Sequence, residues 1–199
     1  MSSILDLLQG QLGDDTVRQI GSQLGVAPQQ ASAAIGAALP MLIGALSRNA
    51  STGAGAESLL GALARDHDGS VLDNLGSLLG QGPTRSGLGA LGHIFGGREN
   101  AVAGAVGRST GLDAQTVTSL LAMLAPMVLG ALGKAQRSRG LDAGGLSEML
   151  GGEIQRAQSV APNAMGALGA LLDADGDGNV MDDLAEKGAG LLGALLRGR

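Results

Sequence analysis

The chain lacks cysteine, tryptophan and tyrosine, and Phe95 is the only aromatic residue among its 199. The absence of cysteine excludes disulfides, thiol catalysis and Cys-ligated zinc. Because aromatic rings are so scarce, the core must consist of aliphatic side chains, of which Leu, Ala and Met favour helices. The 36 glycines interrupt such helices, since each costs about 1 kcal/mol in a helix interior relative to alanine. The composition therefore predicts an all-α fold of short, often interrupted helices.

Positive charge is also scarce: 13 Lys and Arg residues stand against 18 Asp and Glu, which gives a net charge of −5. An acidic chain repels nucleic acid unless its basic residues cluster. Here they cluster only modestly, at Lys134–Arg139 and Arg197–Arg199, so we expect no nucleic-acid partner. No basic residue precedes Arg18, and the start therefore lacks the charged segment of a secretory signal. We expect a cytoplasmic protein.

Recognisable metal-site and phosphate-binding patterns are missing as well. His67 and His93 lie in polar or glycine-rich segments without metal-ligand spacing, and no phosphate-loop pattern occurs. The segments Arg98–Glu99 and Glu153–Arg156 are interpreted as surface charge. We expect a protein without enzymatic activity and identify no small-molecule substrate.

The residues that are present form an internal repeat. Alignment of 24–48 with 110–134 pairs Gly25 with Gly111 and Pro40 with Pro126, both 86 residues apart. Proline and methionine are rare in this chain. The Pro-Met dipeptide shared by both copies is therefore stronger evidence for a repeat than the matching Ala and Leu residues. The pattern predicts an internal duplication, with two related helical units.

Each unit is predicted as a helix, a glycine turn and a second helix. In the first copy the first helix has Asp14 or Asp15 as its N-cap and ends at Gly25. The second helix begins near Pro28 and is expected to kink at Pro40. We place the first unit at 1–80, a Gly-rich connection at 81–97 and the second unit at 98–199. One compact domain that contains both units is the alternative.

Two other interpretations of these helices stay open. The turn at Gly25 has the spacing of a DNA-binding helix-turn-helix, but its recognition helix, 29–39, contains no Arg or Lys for phosphates. The apolar runs Ala31–Leu46 and Leu120–Gly133 are uncharged, as in helices that insert into membranes. Each run spans only roughly 20–25 Å, less than a hydrocarbon core of about 30 Å. We favour buried core helices.

The most specific motif is an acidic loop at 173–184. Carboxylates at its first, third and fifth positions, followed by glycine at the sixth, match the pattern of an EF-hand calcium loop. Helical segments are predicted on both sides of it. The predicted metal ligands are Asp173, Asp175, Asp177, the carbonyl group of Asn179, and Asp183.

The end of this loop departs from the EF-hand pattern. Its twelfth position is Leu184, where an EF-hand has a bidentate glutamate. We therefore expect a weak, structural Ca²⁺ site, in which Mg²⁺ is the substitute. An Asp/Gly turn whose carboxylates favour the start of the next helix is the alternative.

Several segments together resemble one bacterial family. They are the start MSSILDLLQGQLG, the LPMLIGAL helix around Pro40 and the closing LDADGDGNVMDDL. On these segments the chain resembles the YidB-like family, a domain of unknown function, over nearly its whole length. The resemblance implies a helical bacterial protein, and it brings no established activity, substrate or catalytic residue.

On these grounds we expect a non-enzymatic scaffold or assembly protein that forms homo-oligomers. Helix surfaces rich in Ala and Gly, including Gly36, Gly44 and Gly130, favour close packing between chains as well as within one. Insertion of the proline-containing helices into membranes is the alternative function, and DNA binding is the third.

Overall fold

The computed structural model describes residues 4–66 and 69–172, except for the side chains of Gln9, Val160, Leu171 and Leu172. Every regular element in these ranges is a helix, which confirms the predicted all-α class. A 3-10 helix, Ser70–Asn74, lies between α4 and α5. The α-helices are α1 (Ile4–Gln11), α2 (Asp14–Leu24), α3 (Pro28–Asn49), α4 (Gly53–Asp66), α5 (Leu75–Gly80), α6 (Arg85–Phe95), α7 (Glu99–Thr110), α8 (Ala114–Arg139), α9 (Ala143–Val160) and α10 (Pro162–Leu172).

The two longest helices, α3 and α8, form the centre of the molecule. They pack on each other, with α2, α7, α9 and α10 around α3, and with α1, α6 and α7 against α8. A helix segment that is apolar on every side belongs in a core, and every residue of α3 from Ala38 to Ser47 is buried. One hydrophobic core cluster extends from Ile4 in α1 to Leu168 in α10. Elements from both predicted units therefore share this core.

Glycine turns join the helices at the predicted places. Gly25 ends α2 with φ of 68° and Gly111 ends α7 with φ of 74°, a left-handed conformation that side-chain-bearing residues rarely adopt. Both central helices continue past their internal prolines, Pro40 and Pro126. The predicted start of α3 at Pro28 is confirmed.

The predicted N-cap of α2, Asp14 or Asp15, was wrong by one or two positions. Gly13 occupies the cap, without a side-chain hydrogen bond, and Asp14 and Asp15 lie in the first turn. In that position the two carboxylates interact with the positive end of the helix dipole. The sequence pattern locates acidic residues at a helix start more reliably than it locates the cap itself.

The glycine-rich segment 81–97, which we predicted as a connection, contains helix α6. Leu91, Ile94 and Phe95 of this helix are buried in the core. At Gly87 the backbone lies so close to α8 that an added Cβ would overlap the Ala122 carbonyl oxygen. Glycine here permits close helix packing in addition to forming turns.

Two glycines that we expected to favour contacts between chains are used within the chain. An added Cβ at Gly44 would meet Leu168 of α10, and one at Gly130 would meet Val71 of the 3-10 helix. Gly36, by contrast, is exposed and has no atom within 4 Å of an added Cβ. Of the three glycines, only Gly36 is open on the surface of the described structure.

The interpretation of Glu153–Arg156 as surface charge was wrong for Glu153. This side chain is 5% exposed, and its carboxylate accepts hydrogen bonds from the backbone N–H groups of Ile4 (3.0 Å) and Leu5 (3.3 Å). Arg156 is exposed, and it lies 3.9 Å from Asp6 of α1. A buried carboxylate is tolerated here because free N–H groups at a helix start need acceptors. Sequence periodicity does not show such a partner, since it lies 149 residues away.

Candidate functional site

A cavity of about 770 Å³ lies between α4 and α6, and we call it the α4–α6 groove. Leu46 of α3 and Leu129 of α8 form its floor, and both are nearly inaccessible to solvent. Leu59, Ala62 and Ala90 continue this apolar surface up the two walls. The volume is typical of sites that bind small molecules or part of a partner chain.

Local hydrogen bonds hold the α6 wall of the groove in place. Thr84 caps α6 by accepting the N–H of Gly87 at 3.1 Å. At the other end of α6, the side-chain amide of Asn49 donates to the backbone carbonyls of His93 (3.1 Å) and Ile94 (2.9 Å). These carbonyls belong to the last turn, where no intrahelical partner is available. Asn49 therefore fixes the end of α6 to the end of α3.

The rim of the groove carries polar residues that sequence reasoning did not bring together. They are Ser58, Arg65 and Asp66 from α4, and Ser86 and His93 from α6. One way to activate a serine nucleophile is a base within hydrogen-bond reach of its hydroxyl. Within the ranges 4–66 and 69–172, no hydrogen bond joins the His93 imidazole to a serine or an aspartate. The rim as it stands provides polar contacts around an apolar floor.

A second cavity of about 390 Å³ adjoins the groove and shares Asn49 and Ile94 with it. We call it the arginine pocket, because Arg48 at the end of α3 and Arg98 at the start of α7 both line it. Thr52, the residue before α4, also lines it and accepts the N–H of Gly55 at 3.1 Å. No carboxylate is among its lining residues in the described chain.

Few large apolar side chains are exposed outside these cavities. In the described part of the chain they are Leu7 of α1, 38% exposed, and Leu88 of α6, 46% exposed. The first half of α3 adds an uncharged surface of small residues, including Ala33 and Gly36. Isolated apolar residues of this kind are common on protein surfaces.

The predicted metal ligands lie outside the described residues. Asp173, Asp175, Asp177, Asn179 and Asp183 all belong to the segment after Leu172. Between Ile4 and Leu172, leaving aside His67 and Asp68, no group of three or more His, Asp or Glu side chains could hold a metal ion. The calcium prediction is therefore carried by the sequence pattern alone.

Helices α3 and α8 are long and apolar enough to cross a membrane by length and composition. Their most apolar windows are 72% and 78% buried within the fold. The core helix of a soluble protein meets the same criteria, so these helices are weak evidence for membrane insertion.

The chain matches a known family over most of the region described above. Residues 6–135 match the family "Bacterial protein of unknown function (DUF937)". The chain belongs to this family. The match extends from α1 through most of α8 and contains the lining of both cavities. It covers less than the whole-length resemblance noted in the sequence, since the acidic loop lies beyond it. No curated protein and no solved structure matches the chain.

Proposed function

We propose that this bacterial protein is a non-enzymatic assembly module that self-associates, with the α4–α6 groove as one contact surface. The observation that carries the proposal is the groove itself: an apolar floor at Leu46 and Leu129, about 770 Å³ in volume, with a polar rim. Grooves of this composition bind apolar helices, whose side chains fill the floor while the rim excludes wrong partners. The groove is built entirely from the region that matches the family.

A second copy of the chain is the partner that we propose. The exposed apolar residues Leu7 and Leu88 and the uncharged surface around Gly36 provide helix faces for such a contact. Small residues allow a close approach without loss of side-chain entropy. Gly44 and Gly130 do not contribute to this contact between chains, because neighbouring side chains of the same chain pack against both glycines.

Self-association is tested by sedimentation over a wide range of protein concentration. We expect the mass to rise with concentration, and Ala62→Glu to shift the protein toward monomer because it places a charge over the apolar floor. Ala64→Glu is the matched control, since Ala64 is exposed on the same helix and does not line the groove. A strict monomer at every concentration, or equal effects of the two variants, would contradict the proposal.

We also propose that the α2–α3 and α7–α8 pairs descend from one duplicated unit. Three correspondences support this: left-handed glycines at Gly25 and Gly111, long buried helices after them, and a proline at the thirteenth position of each helix. The N-caps of the two helices differ. The Asp113 side chain accepts a hydrogen bond at the start of α8, whereas Ala27 has no side-chain acceptor at the start of α3. Such differences are expected once two copies of a unit diverge.

The acidic loop at 173–184 is proposed as a weak structural Ca²⁺ site, with Mg²⁺ as its substitute. The support is the spacing of its carboxylates and the repulsion among them, which a divalent cation would relieve. Calorimetric titration with millimolar Ca²⁺ tests the site, and Asp175→Ala combined with Asp177→Ala should abolish the binding heat. The absence of heat from the unsubstituted chain would favour the plain turn.

Membrane insertion through α3 and α8 is the second candidate function. The observation in its favour is the length and apolar character of these two helices, and their burial within the fold argues against it. Flotation with liposomes separates the two functions: an assembly module stays out of the lipid fraction at every pH, and an inserting protein floats with it.

A further inference from the structure

The two central helices differ at one face that the repeat places at equivalent positions. The 86-residue register that pairs Pro40 with Pro126 also pairs Gly36 of α3 with Ala122 of α8. Ala122 is buried, because α6 packs so closely on it that a Cβ added at Gly87 would overlap the Ala122 carbonyl oxygen. Gly36 is exposed, and a Cβ added there has no described atom within 4 Å. This face is therefore covered on α8 and open on α3.

The positions around Gly36 show the same difference. We call Ser32, Ala33, Gly36 and Ala37 together the α3 face. Three of these four residues are exposed, whereas none of their counterparts on α8 is exposed. In the 86-residue register the four pairs are Ser32/Thr118, Ala33/Ser119, Gly36/Ala122 and Ala37/Met123.

Further along the same two helices, the equivalent positions are alike. Gly44 of α3 and Gly130 of α8 are also paired by the register, and both are covered within the chain. Leu168 of α10 packs at Gly44, and Val71 of the 3-10 helix packs at Gly130. Since one pair of positions is covered in both copies, the open α3 face is a local difference. It marks a place where α3 lacks the neighbour that α8 has in the described structure.

The order of segments along the chain indicates which segment that neighbour is. Helix α6, which covers the face of α8, follows segment 68–75 in the sequence. Segment 68–75 has a counterpart in the acidic loop, at 177–184. Five of the eight residues are identical in the two sequences, DGSVLDNL and DGNVMDDL. The residues that follow the second sequence, 185–196, therefore take the place in chain order that α5 and α6 take in the first.

Helix α1 is the other element with a claim to the α3 face, because it precedes α2 as α6 precedes α7. It packs against α8 instead. In addition, the Glu153 carboxylate of α9 accepts the N–H groups of Ile4 and Leu5 at the start of α1. These contacts hold α1 in another place, so a further segment is needed to bury the α3 face.

The sequence of 185–196 suits a surface of small residues. Four leucines recur at the spacing of one helix face, and Glu186 and Lys187 are the only charged residues in this segment. A helix with an apolar stripe has to bury that stripe against another element. Small side chains on the partner surface allow leucines to approach closely. The leucines are Leu191, Leu192, Leu195 and Leu196.

The segment is also within reach of the α3 face. Leu168 of α10 packs at Gly44, and Gly36 is eight residues from Gly44 in the same helix, which is about 12 Å along its axis. Twelve residues connect Leu172, at the end of α10, to Leu184. A chain of that length spans up to about 40 Å when it is extended.

We propose that residues 185–196 bind to the α3 face of the same chain, with their leucines against Ala33, Gly36 and Ala37. The inference uses the register of the proposed duplication, and it does not require self-association. It also adds a regulation to the proposed function. The surface around Gly36 is open to a second copy only while the segment is released, so the segment and the second copy compete for it.

Thiol labelling tests the contact in the full chain, which has no cysteine of its own. Ser32→Cys places a reporter of similar size on the α3 face, and Ala64→Cys, exposed on α4, is the reference. We expect the thiol at position 32 to react several-fold more slowly than the thiol at position 64. Leu192→Glu combined with Leu195→Glu should release the segment and raise the rate at position 32 several-fold. The rate at position 64 should not change.

Gly190→Glu combined with Ala194→Glu is the matched control. It adds the same two charges on the other side of the predicted helix, and it should leave position 32 protected. Equal rates with and without the leucine substitutions, or an equal rise in the control, would overturn the proposal. Protection that disappears on dilution would overturn it as well, because a second copy rather than the same chain would then cover the face.

Sedimentation of the same variants separates this inference from the proposed self-association. A mass that rises with the leucine substitutions, at fixed protein concentration, supports competition between the segment and a second copy. An accessible thiol at position 32 without a change in mass supports binding of the segment. That result would contradict the surface around Gly36 as a contact between chains.

Discussion

The carboxylate of Glu153 in α9 accepts the backbone N–H of Ile4 at the start of α1, with 3.0 Å between Oε1 and N. Its second oxygen accepts the N–H of Leu5. The first N–H groups of a helix have no partner within the helix, and here a buried side chain from another helix supplies one. Helix α1 is thus attached to the fold through a carboxylate as well as through the buried side chains Ile4 and Leu8.

Glu153→Ala is expected to destabilise the protein by about 2–3 kcal/mol, because it removes charge-assisted hydrogen bonds and leaves two buried N–H groups unsatisfied. Glu153→Gln should cost less, since its amide oxygen can still accept one of them. Urea unfolding measures both effects. Hydrogen exchange should show the loss of protection concentrated in Ile4–Gln11, and a uniform loss across all helices would contradict this attachment of α1.

Gly87→Ala is expected to destabilise the protein by about 1–3 kcal/mol, because the added methyl group has to displace the backbone of α8. Gly92→Ala on the same helix is the control. It has no neighbour within 4 Å of an added Cβ, and alanine should raise helix stability by up to about 1 kcal/mol. Thermal unfolding should therefore move the two variants in opposite directions.

Ala27→Asp is expected to stabilise the protein by about 1 kcal/mol. Ala27 is the N-cap of α3 with extended backbone and no side-chain acceptor, and an aspartate there would accept an N–H of the first turn. Its counterpart Asp113 already does so in α8, accepting from the Thr116 N–H at 2.9 Å. Ala27→Leu has no acceptor and should give no gain. Equal melting temperatures for both variants would exclude a capping effect.

Asp113 makes the free energy of unfolding depend on pH in the acidic range. Hydrogen bonds from the Thr116 hydroxyl and the Thr116 backbone N–H hold the pKa of this carboxyl below its ordinary value. The stabilisation is therefore complete above the ordinary Asp pKa, and it is lost as the pH falls through the lowered one. Asp113→Ala should lower the melting temperature at neutral pH by a few degrees and lower it less at strongly acidic pH. A drop of the same size at both pH values would contradict the linkage.

Sequence patterns were sufficient to predict the helices. They also predicted those helix ends that are determined by residues within the same turn. Gly25, Pro28 and Gly111 each act within one turn of the backbone, so their roles can be read from composition and spacing. The aliphatic runs around Pro40 and Pro126 likewise predicted the two central helices. Local preferences and tertiary packing agree at these positions.

Features that depend on distant residues could not be predicted in this way. The sequence around Glu153 does not differ from that around an exposed glutamate. Its burial depends on the position of α1, which packs over it in the folded protein. The segment 81–97 was predicted as a connection, although Gly87 within it permits the contact between α6 and α8. Arg48 and Arg98 come to line one cavity only because α4 to α6 fold back between them. In each case the decisive partner belongs to another element.

The attachment of α1 to α9 also has a consequence for biosynthesis. Residue 4 leaves the ribosome long before residue 153, and at bacterial elongation rates the interval is roughly 7–30 s. During that time the nascent chain presents the buried side chains of α1 (Ile4, Leu5 and Leu8), which reach their final places against α8 and beside Glu153 only late in synthesis. We expect newly made chains to depend on chaperones that hold exposed apolar segments, and to complete their folding only after most of the polypeptide has been synthesised.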